Sequence, residues 1–294
     1  MSKTWTVKDL LDWTRNYFMG AGIEKSRLEA EELLAHTLEV DRLNLYLDPD
    51  RPLTKAELDR YRPLIKKRKS GEPLQYITGK TSFMGVSLKI DDRALIPRPE
   101  TEEMTEEILA RFRHRSGLRV LDLGTGSGAI AIALARFLVN PRITAVDNSE
   151  SALELAEENV AENEVSDAVE FRQSDWFSKV DEKYDIIVSN PPYVATQEIE
   201  ELSPDIKEHE PLEALDGGGN GMEEIRRILG EVSGYLTEDG AFFLEISYNQ
   251  GERVKGLISE GNFARVELIK DTGDKDRILF GKRRVKDVKN GSSR

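Results

Sequence analysis

The chain of 294 residues contains no cysteine and only three histidines. The lack of cysteine excludes a disulfide-stapled scaffold and thiolate sites for zinc or iron–sulfur clusters, and it is typical of proteins from a reducing cytoplasm. The three histidines, His36, His114 and His209, are far apart in the sequence. We therefore predict that the protein has no metal centre.

Long apolar runs are also missing. No stretch reaches the ~18 consecutive apolar residues of a membrane-spanning helix, and the first residues lack the apolar segment of a secretory signal. Hydrophobic residues make up 38% of the chain, which is enough to form a core at this length. We expect a soluble, cytoplasmic protein without membrane contact. Since no exposed apolar repeat marks an interface, we also expect a monomer.

Negative charge is concentrated in the middle of the chain. The net charge is −13 overall, but residues 97–281 hold 19 basic and 39 acidic residues, a net charge of −20. Residues 1–96 carry +2 and residues 282–294 carry +5. Proteins that bind nucleic acid usually neutralise phosphates with lysine and arginine. The charge distribution therefore argues against direct binding to nucleic acid.

The beginning of the chain has the periodicity of helices. Apolar residues recur at helical spacing through residues 5–70, and a third helix is predicted over Lys55–Lys69. Thr54 and Glu57 have the spacing of a capping box at its start. Pro63 lies inside this segment, so we expect a kink or a split there.

From Leu118 onward, short β-rich segments alternate with helical segments such as Ala129–Leu138 and Ser151–Glu162. The predicted strands are Arg119–Leu123, Ile143–Asp147, Val169–Gln173, Tyr184–Ser189 and Ala241–Ile246. This alternation predicts a mostly parallel sheet covered by helices on both faces. Two more strands, Arg265–Ile269 and Arg277–Phe280, follow each other without a helix between them, which indicates an antiparallel pair.

A further segment, Phe83–Ile90, alternates after Gly85 and ends in a turn signal, so it is read as part of a β-hairpin between two domains. The predicted organisation is a helical domain at residues 1–80, a hairpin linker at 81–95, a catalytic domain at 96–282 and a basic, disordered tail at 283–294.

The first predicted strand runs into a glycine-rich loop, Asp122–Gly128, directly before an apolar helix. Glycines at this place let the backbone approach a ligand, and the spacing also fits a dinucleotide fingerprint. Asp147, at the end of the second strand, suits the ribose of either cofactor. Two details favour S-adenosylmethionine over NAD. Asp122 is placed to accept from an ammonium group, directly or through water, and Gly128 completes the G-x-G-x-G spacing usual for this methyl donor.

The fourth strand is followed by Asn190, Pro191, Pro192 and Tyr193. An amide or aromatic amine nitrogen is a poor nucleophile because its lone pair is delocalised. The Asn190 side-chain oxygen and the Pro191 carbonyl can accept from its N–H groups, and the two prolines restrict the backbone that presents them. Tyr193 offers an aromatic wall. The pattern predicts methylation of a planar amide or amine nitrogen, without a strong general base.

Trp176 follows the third strand, in Ser174–Phe177. This is where an adenine ring would lie in such a fold. The spacing alone leaves an adenine contact and a core aromatic equally open.

With these motifs in place, the sequence resembles the bacterial release factor glutamine methyltransferases, the HemK/PrmC family, over roughly residues 7–282. The matching segments are Glu72–Ile77 with Gly79, Phe83 and Gly85, then Leu95–Glu102, Asp122–Gly128, Ser174–Phe177, Asn190–Tyr193, Glu210–Pro211, Ala214–Leu215, Gly217–Gly218, Leu244–Ile246 and the set Asp271, Gly273, Asp276 and Arg277. Two minor departures are Asn148, where an apolar or basic residue is common, and Asn220, where aspartate is usual.

The resemblance implies an α/β fold: a class I S-adenosylmethionine-dependent methyltransferase with a Rossmann-like seven-stranded sheet, a small N-terminal helical domain that helps to recognise the substrate, and a linking β-hairpin. The substrate would be the glutamine of the Gly-Gly-Gln motif in class-one peptide chain release factors, methylated at its side-chain nitrogen N5 in support of translation termination.

The resemblance also assigns site residues. The cofactor-binding set is Asp122, Gly124, Thr125, Gly126, Ser127, Gly128, Asp147, Trp176 and Asn190. The glutamine-binding set is Asn190, Pro191, Pro192 and Tyr193, of which Asn190, Pro191 and Tyr193 would be catalytic. Arg98 and Glu100 would also line the substrate pocket.

Other functions remain open on the sequence. Enzymes that methylate a glutamine of a ribosomal protein typically lack the full Pro-Arg-Pro-Glu-Thr-Glu run of residues 97–102. Adenine-N6 methyltransferases share the Asn-Pro-Pro-Tyr motif, but they must extract a base and bind phosphates. An oxidoreductase would leave that motif unexplained, and a non-catalytic binding protein would not need an intact site.

Overall fold

The computed structural model of the protein describes residues 4–258 and 261–284. The chain divides into two compact units. The first, here called the helical unit, comprises Met1–Gly79 and Ser203–His209, and the second, the sheet unit, comprises Lys80–Leu202 and Glu210–Arg294.

Within residues 4–79, the helical unit contains four α-helices. They are α1 (Val7–Gly20), α2 (Ser26–Leu38), α3 (Lys55–Lys69) and α4 (Leu74–Thr78), with a 3₁₀ turn at Arg42–Tyr46. Their apolar faces meet in a core that includes Phe18, Leu33, Leu34 and Tyr61. Burial of these faces supplies most of the stability that short helices cannot provide alone.

The predicted start of α3 is confirmed. The Thr54 hydroxyl accepts from the Glu57 N–H at 3.3 Å, and the Glu57 carboxylate accepts from the Thr54 N–H at 2.7 Å. The predicted split at Pro63 is wrong, because α3 runs unbroken through that residue. Pro63 and Asp59, whose carbonyl loses its helical partner, are both exposed, so water can satisfy that carbonyl.

The sheet unit begins with an antiparallel hairpin and continues as an α/β sheet. Its strands are β1 (Lys80–Phe83), β2 (Val86–Lys89), β3 (Arg119–Leu123), β4 (Arg142–Asp147), β5 (Val169–Gln173), β6 (Tyr184–Ser189), β7 (Leu236–Glu245), β8 (Phe263–Lys270) and β9 (Asp276–Arg283). The remaining helices are α5 (Pro99–Phe112), α6 (Ala129–Phe137), α7 (Glu150–Glu162), α8 (Pro204–Lys207, in the helical unit), α9 (Glu223–Tyr235) and α10 (Gly251–Lys255).

The large sheet has seven strands in the order β5-β4-β3-β6-β7-β9-β8. The strands β5, β4, β3, β6 and β7 are parallel, whereas β9 is antiparallel to both β7 and β8. This arrangement confirms both the parallel sheet and the antiparallel pair. The strand β7 begins five residues before the predicted strand, because Leu236 already pairs with Tyr184 ahead of an irregularity in the register.

Helices cover both faces of the sheet. Met104 of α5, Ile130 of α6 and Val160 of α7 join one apolar cluster. Ile225 of α9 and Val254 of α10 join a second cluster on the other side of the strands. The residues of β3 and β6 alternate between the two clusters, as expected for strands buried on both faces.

No helix within residues 4–258 and 261–284 is both long enough and apolar enough to cross a membrane. Of the predicted basic tail, Arg283 ends β9 and residues 285–294 lie outside the described part of the chain.

Candidate active site

A cavity of about 520 Å³ lies at the carboxyl ends of β3, β4 and β6. This is the place where ligands bind in open α/β sheets. Of the residues predicted to form the site, those that line the cavity are Gly124, Thr125, Gly126, Ser127, Asp147, Trp176, Asn190 and Pro192. Those that do not line it are Arg98, Glu100, Asp122, Gly128, Pro191 and Tyr193.

The glycine loop is held against β4 by its backbone. The N–H groups of Gly124 and Thr125 both donate to the Val146 carbonyl, at 2.8 and 3.0 Å. Gly124 has φ of +70°, and a Cβ placed there would lie 3.4 Å from Cζ3 of the Trp176 ring. The positive φ favours glycine at this position, and a Cβ there would be in ordinary van der Waals contact with the indole.

Asp147 ends β4 and faces both the cavity and the loop. Its Oδ2 accepts from the Gly126 N–H at 2.9 Å, and its Oδ1 accepts from the Ser149 N–H at 2.9 Å. Burial raises the pKa of this carboxyl above its usual range, although the backbone N–H groups oppose the shift. A carboxylate in this position both orders the glycine loop and suits the hydroxyls of a ribose.

Asp122 lies beneath the loop and is fully buried. Its Oδ2 accepts from the Thr125 hydroxyl at 2.7 Å. Its Oδ1 has no hydrogen-bond partner among the described residues. Burial raises the pKa of Asp122 to about 7. Because Asp122 is fully buried and does not line the cavity, its unpaired carboxylate oxygen fits an ammonium group that is bound through a water molecule.

This environment predicts that binding of S-adenosylmethionine depends on pH. Because only ionised Asp122 attracts an ammonium group, and its pKa is about 7, affinity should fall with acidification, approaching about tenfold per pH unit well below that pKa. Calorimetric titration between about pH 6 and 7.5 measures the dependence. The Asp122→Asn variant should bind more weakly at high pH and show a flatter profile. A wild-type dissociation constant that is the same across this range would show that Asp122 plays no such part.

Trp176 forms one wall of the cavity and is fixed by a group of charged residues. Its backbone has φ of +47°, a conformation that a tryptophan keeps only when its surroundings hold it. The indole Nε1 donates to Glu224 at 2.5 Å, and Arg227 binds Glu224 at 2.9 Å and both oxygens of Asp175 at 2.7 Å. The indole ring is thereby held against Gly124, where it could contact an adenine ring bound in the cavity.

Asn190 is oriented by a series of hydrogen bonds that leads to the buried Glu245. Its Nδ2 donates to the Thr101 hydroxyl at 3.0 Å, and that hydroxyl donates to Glu245 Oε2 at 2.6 Å. The Tyr193 hydroxyl donates to the other oxygen, Glu245 Oε1, at 3.1 Å. Thr101 lines the cavity together with Asn190. The Asn190 amide is therefore anchored through its nitrogen.

The Asn-Pro-Pro-Tyr loop is also supported from behind by the glycine-rich segment 217–221. A Cβ on Gly217 would lie 2.8 Å from both the Pro192 oxygen and the Tyr193 Cα, so only glycine permits this approach. The side chain of Gln250 donates to the carbonyls of Tyr193 and Gly221, at 3.0 and 2.9 Å. These contacts fix the backbone that carries the predicted acceptors.

Arg98 and Glu100 do not line the cavity, in contrast to most residues of the glycine loop. The Arg98 guanidinium pairs with the buried Glu210 at 2.6 Å, and Glu210 also accepts from the Ile96 N–H at 3.3 Å. Glu100 lies 4.0 Å from Arg277. The predicted contact of Arg98 and Glu100 with the substrate stays a prediction.

Three residues of this site were missed by the sequence analysis: Thr101, Glu224 and Glu245. Glu245 left a signal, since it is an acidic residue within the apolar run of a strand predicted to be buried. Thr101 lies in the Pro-Arg-Pro-Glu-Thr-Glu run that carries the resemblance. Glu224 left no signal, because an acidic residue at the start of a helix is ordinary.

Comparison with known proteins gives two family matches. The model of the PrmC N-terminal domain matches residues 9–79, and that of the methyltransferase small domain matches residues 100–222. The release factor glutamine methyltransferase of Geobacter sulfurreducens is 40% identical, covering 95% of this chain and 97% of the relative. The enzyme of that name from Rhodopirellula baltica is 39% identical, covering 94% and 95%. The chain belongs to the release factor glutamine methyltransferase family.

A solved structure agrees with this family's catalytic fold. A methyltransferase from Pyrococcus furiosus has a TM-score of 0.52 at 20% identity and covers 78% of this chain and 99% of that one. The predicted fold class, an α/β methyltransferase with a seven-stranded sheet and an N-terminal helical part, is confirmed by the sheet and the family matches. Within the residues that the structure describes, no group of side chains has the composition of a metal site.

Proposed function

We propose that the protein transfers a methyl group from S-adenosylmethionine to the side-chain amide nitrogen, N5, of the glutamine in the Gly-Gly-Gln motif of class-one release factors. The observation that carries this proposal is the orientation of Asn190. The amide nitrogen of Asn190 donates to the Thr101 hydroxyl at 3.0 Å. Its amide oxygen is therefore free to accept a hydrogen bond from an N–H group of the glutamine that is methylated. Family membership supplies the substrate class.

The cavity fits the cofactor by its chemistry. The glycine loop, the unpaired oxygen of Asp122 and the carboxylate of Asp147 suit the aminoacid and ribose groups. When bound, the cofactor supplies a methyl group activated by a sulfonium. The protein holds the cofactor in one orientation relative to the glutamine. This lowers the entropic cost of bringing the two reactants together.

The acceptor nitrogen is handled by the Asn-Pro-Pro-Tyr loop. The oxygens of Asn190 and of the Pro191 backbone accept from the two N–H groups of the glutamine amide. These acceptors stabilise the positive charge that develops on nitrogen during attack. With the cofactor bound, its methyl group would pass from the sulfonium sulfur to this nitrogen, and the sulfur would leave as a neutral thioether. The methylated nitrogen is then acidic enough to lose one proton to water, so no strong base is needed.

The proposal extends to partners and location. The protein acts as a monomer in the cytoplasm, with a release factor as its protein partner and the helical unit contributing to recognition. It makes no direct contact with nucleic acid, which is supported by the net charge of −20 in residues 97–281.

The function is tested by offering purified enzyme and labelled S-adenosylmethionine several acceptors in parallel. These are a release factor with Gly-Gly-Gln, the same factor with Gln→Ala, a ribosomal protein substrate of glutamine methylation, and duplex DNA or ribosomal RNA. We expect label only on the release factor that retains its glutamine.

Each alternative outcome identifies another function. Label on the ribosomal protein alone would keep the chemistry and change the substrate. Label on nucleic acid alone would indicate an adenine-N6 enzyme. Binding of the cofactor without transfer to any acceptor would indicate a regulatory binding protein, and binding of NAD instead would refute the cofactor assignment.

A further inference from the structure

Glu245 is a buried acidic residue that does not line the cavity. It ends β7, is fully buried, and each of its oxygens accepts one hydrogen bond, from Thr101 at 2.6 Å and from Tyr193 at 3.1 Å. A carboxyl group is almost never fully buried unless it is paired. Glu245 binds Thr101, which lines the cavity, and Tyr193 of the Asn-Pro-Pro-Tyr loop, so it can control the orientation of side chains in the site.

The Glu245 carboxylate determines the direction of the hydrogen bonds that link it, through Thr101, to Asn190. An ionised carboxylate can only accept, so it takes the single proton of the Thr101 hydroxyl. The Thr101 oxygen then has only lone pairs to offer to Asn190, and it can bind the NH₂ end of the amide but not the oxygen end. The structure has this arrangement, with Nδ2 of Asn190 donating to Thr101.

We propose that Glu245 is a positioning residue: through Thr101 it determines which end of the Asn190 amide faces the cavity. A reversed amide would present NH₂ to the N–H groups of the acceptor, where two donors would repel and no charge would be stabilised. The proposal rests on the proposed function for the identity of the acceptor. It does not rest on that function for the orientation of the amide itself.

The charged and titratable groups around Glu245 make this device sensitive to pH. Burial raises the pKa of Glu245 to about 7, and the charge of Glu100 acts in the same direction. The Thr101 and Tyr193 hydroxyls and the Arg277 guanidinium oppose the shift. Protonated Glu245 can itself donate to Thr101, which removes the constraint on Asn190. At saturating cofactor, kcat should therefore rise with pH through about 7, because the ionised form is the one that orients the amide.

The test compares four variants with a matched control. Thr101→Val removes the relay, Thr101→Ser keeps its hydroxyl, Glu245→Met removes the acceptor, and Glu245→Gln keeps the shape without the charge. Glu267→Gln makes the same change in β8, on the same sheet and away from the cavity. For each, kcat at saturating cofactor, the dissociation constant of S-adenosylmethionine and the melting temperature are measured.

A second measurement, hydrogen exchange of the Asn190 side chain, needs no methyl-accepting substrate. The side-chain NH₂ resonance of Asn190 is identified in a ¹⁵N spectrum by its loss from Asn190→Asp, and its hydrogen exchange is measured. In the wild type this NH₂ is bound to Thr101 and should exchange slowly, whereas a reversed amide exposes it to the cavity.

We expect Thr101→Val and Glu245→Met to lower kcat by about 100-fold, with cofactor affinity within a few-fold of wild type and faster Asn190 exchange. Thr101→Ser should recover most of the activity, and Glu245→Gln should lose the rise of kcat with pH. Wild-type kcat and wild-type exchange in Thr101→Val and Glu245→Met would overturn the proposal. So would lower kcat with unchanged exchange, which would mark a different role. If wild-type enzyme transfers no methyl group to the release factor, the proposed function fails, and the exchange rates alone still decide this proposal.

Discussion

Replacement of Asn190 by alanine should lower kcat for the release factor by about 10²–10³-fold, the range seen when one preorganised polar group is removed from a transition-state site. The reason is that Asn190 offers one of the two oxygens that accept from the amide nitrogen while positive charge develops on it. The other oxygen belongs to the backbone of Pro191 and survives the substitution, so activity should not vanish. Steady-state kinetics at saturating cofactor measure the effect.

The control for this variant is Asn163→Ala. Asn163 also binds backbone carbonyls through its amide, at Ser87 and Asn159, but it does not line the cavity. This control should keep kcat close to that of the wild type. Calorimetry should show that Asn190→Ala still binds S-adenosylmethionine within about tenfold of the wild-type affinity. An Asn190→Ala enzyme with wild-type kcat would remove Asn190 from the mechanism.

Replacement of Asp147 by alanine should weaken the binding of S-adenosylmethionine by about 100-fold. Hydrogen bonds to a charged group contribute about 1.5–3 kcal/mol each, and about 2.8 kcal/mol corresponds to a hundredfold change in affinity. The variant loses the predicted acceptor for the ribose and also the carboxylate that binds the Gly126 and Ser149 N–H groups at 2.9 Å. The dissociation constant is measured by calorimetry, and kcat at saturating cofactor should fall much less.

Asp185→Ala is the matched control for this second prediction. Asp185 accepts from the Arg119 N–H at 2.9 Å and from Thr237 at 3.1 Å, near the start of β6 and away from the cavity. It should cost stability without a comparable loss of cofactor affinity. Equal affinities for Asp147→Ala and the wild type would show that the ribose lies elsewhere.

Much of the catalytic fold was predictable because its signals are local. The residues of β3 and β6 are mostly apolar and those of β5 alternate between apolar and polar, and the predicted bounds of all three strands match the structure. The antiparallel pair β8 and β9 followed from the absence of a helix between two strands. Local capping chemistry likewise predicted the start of α3 at Thr54.

The polar network behind Asn190 could not be predicted from the sequence. It joins Thr101 to Glu245 across 144 residues of chain, and it depends on how α5 packs beside β7. The helix α5 was itself not assigned, although Met104, Ile108 and Phe112 have helical spacing. Glu245 lies within a segment that carries the family resemblance, but nothing local to it shows which hydroxyl groups it binds.

The two departures from the family pattern, Asn148 and Asn220, leave the proposed site intact. The side-chain oxygen of Asn220 accepts from the Met222 N–H at 3.2 Å and from Arg226 at 3.3 Å, which an aspartate in that place would also do. Asn148 lines the cavity beside Asp147 and is exposed. Neither change removes an atom that the mechanism uses.

The most direct test of the account is to locate the methyl group. Purified enzyme is incubated with S-adenosylmethionine and a full-length release factor, and the factor is digested and analysed by tandem mass spectrometry. We expect a single methyl group on the side-chain amide nitrogen of the glutamine in Gly-Gly-Gln, absent when the enzyme is omitted. A methyl group on any other residue, or an unmodified factor under conditions in which the enzyme binds its cofactor, would contradict it.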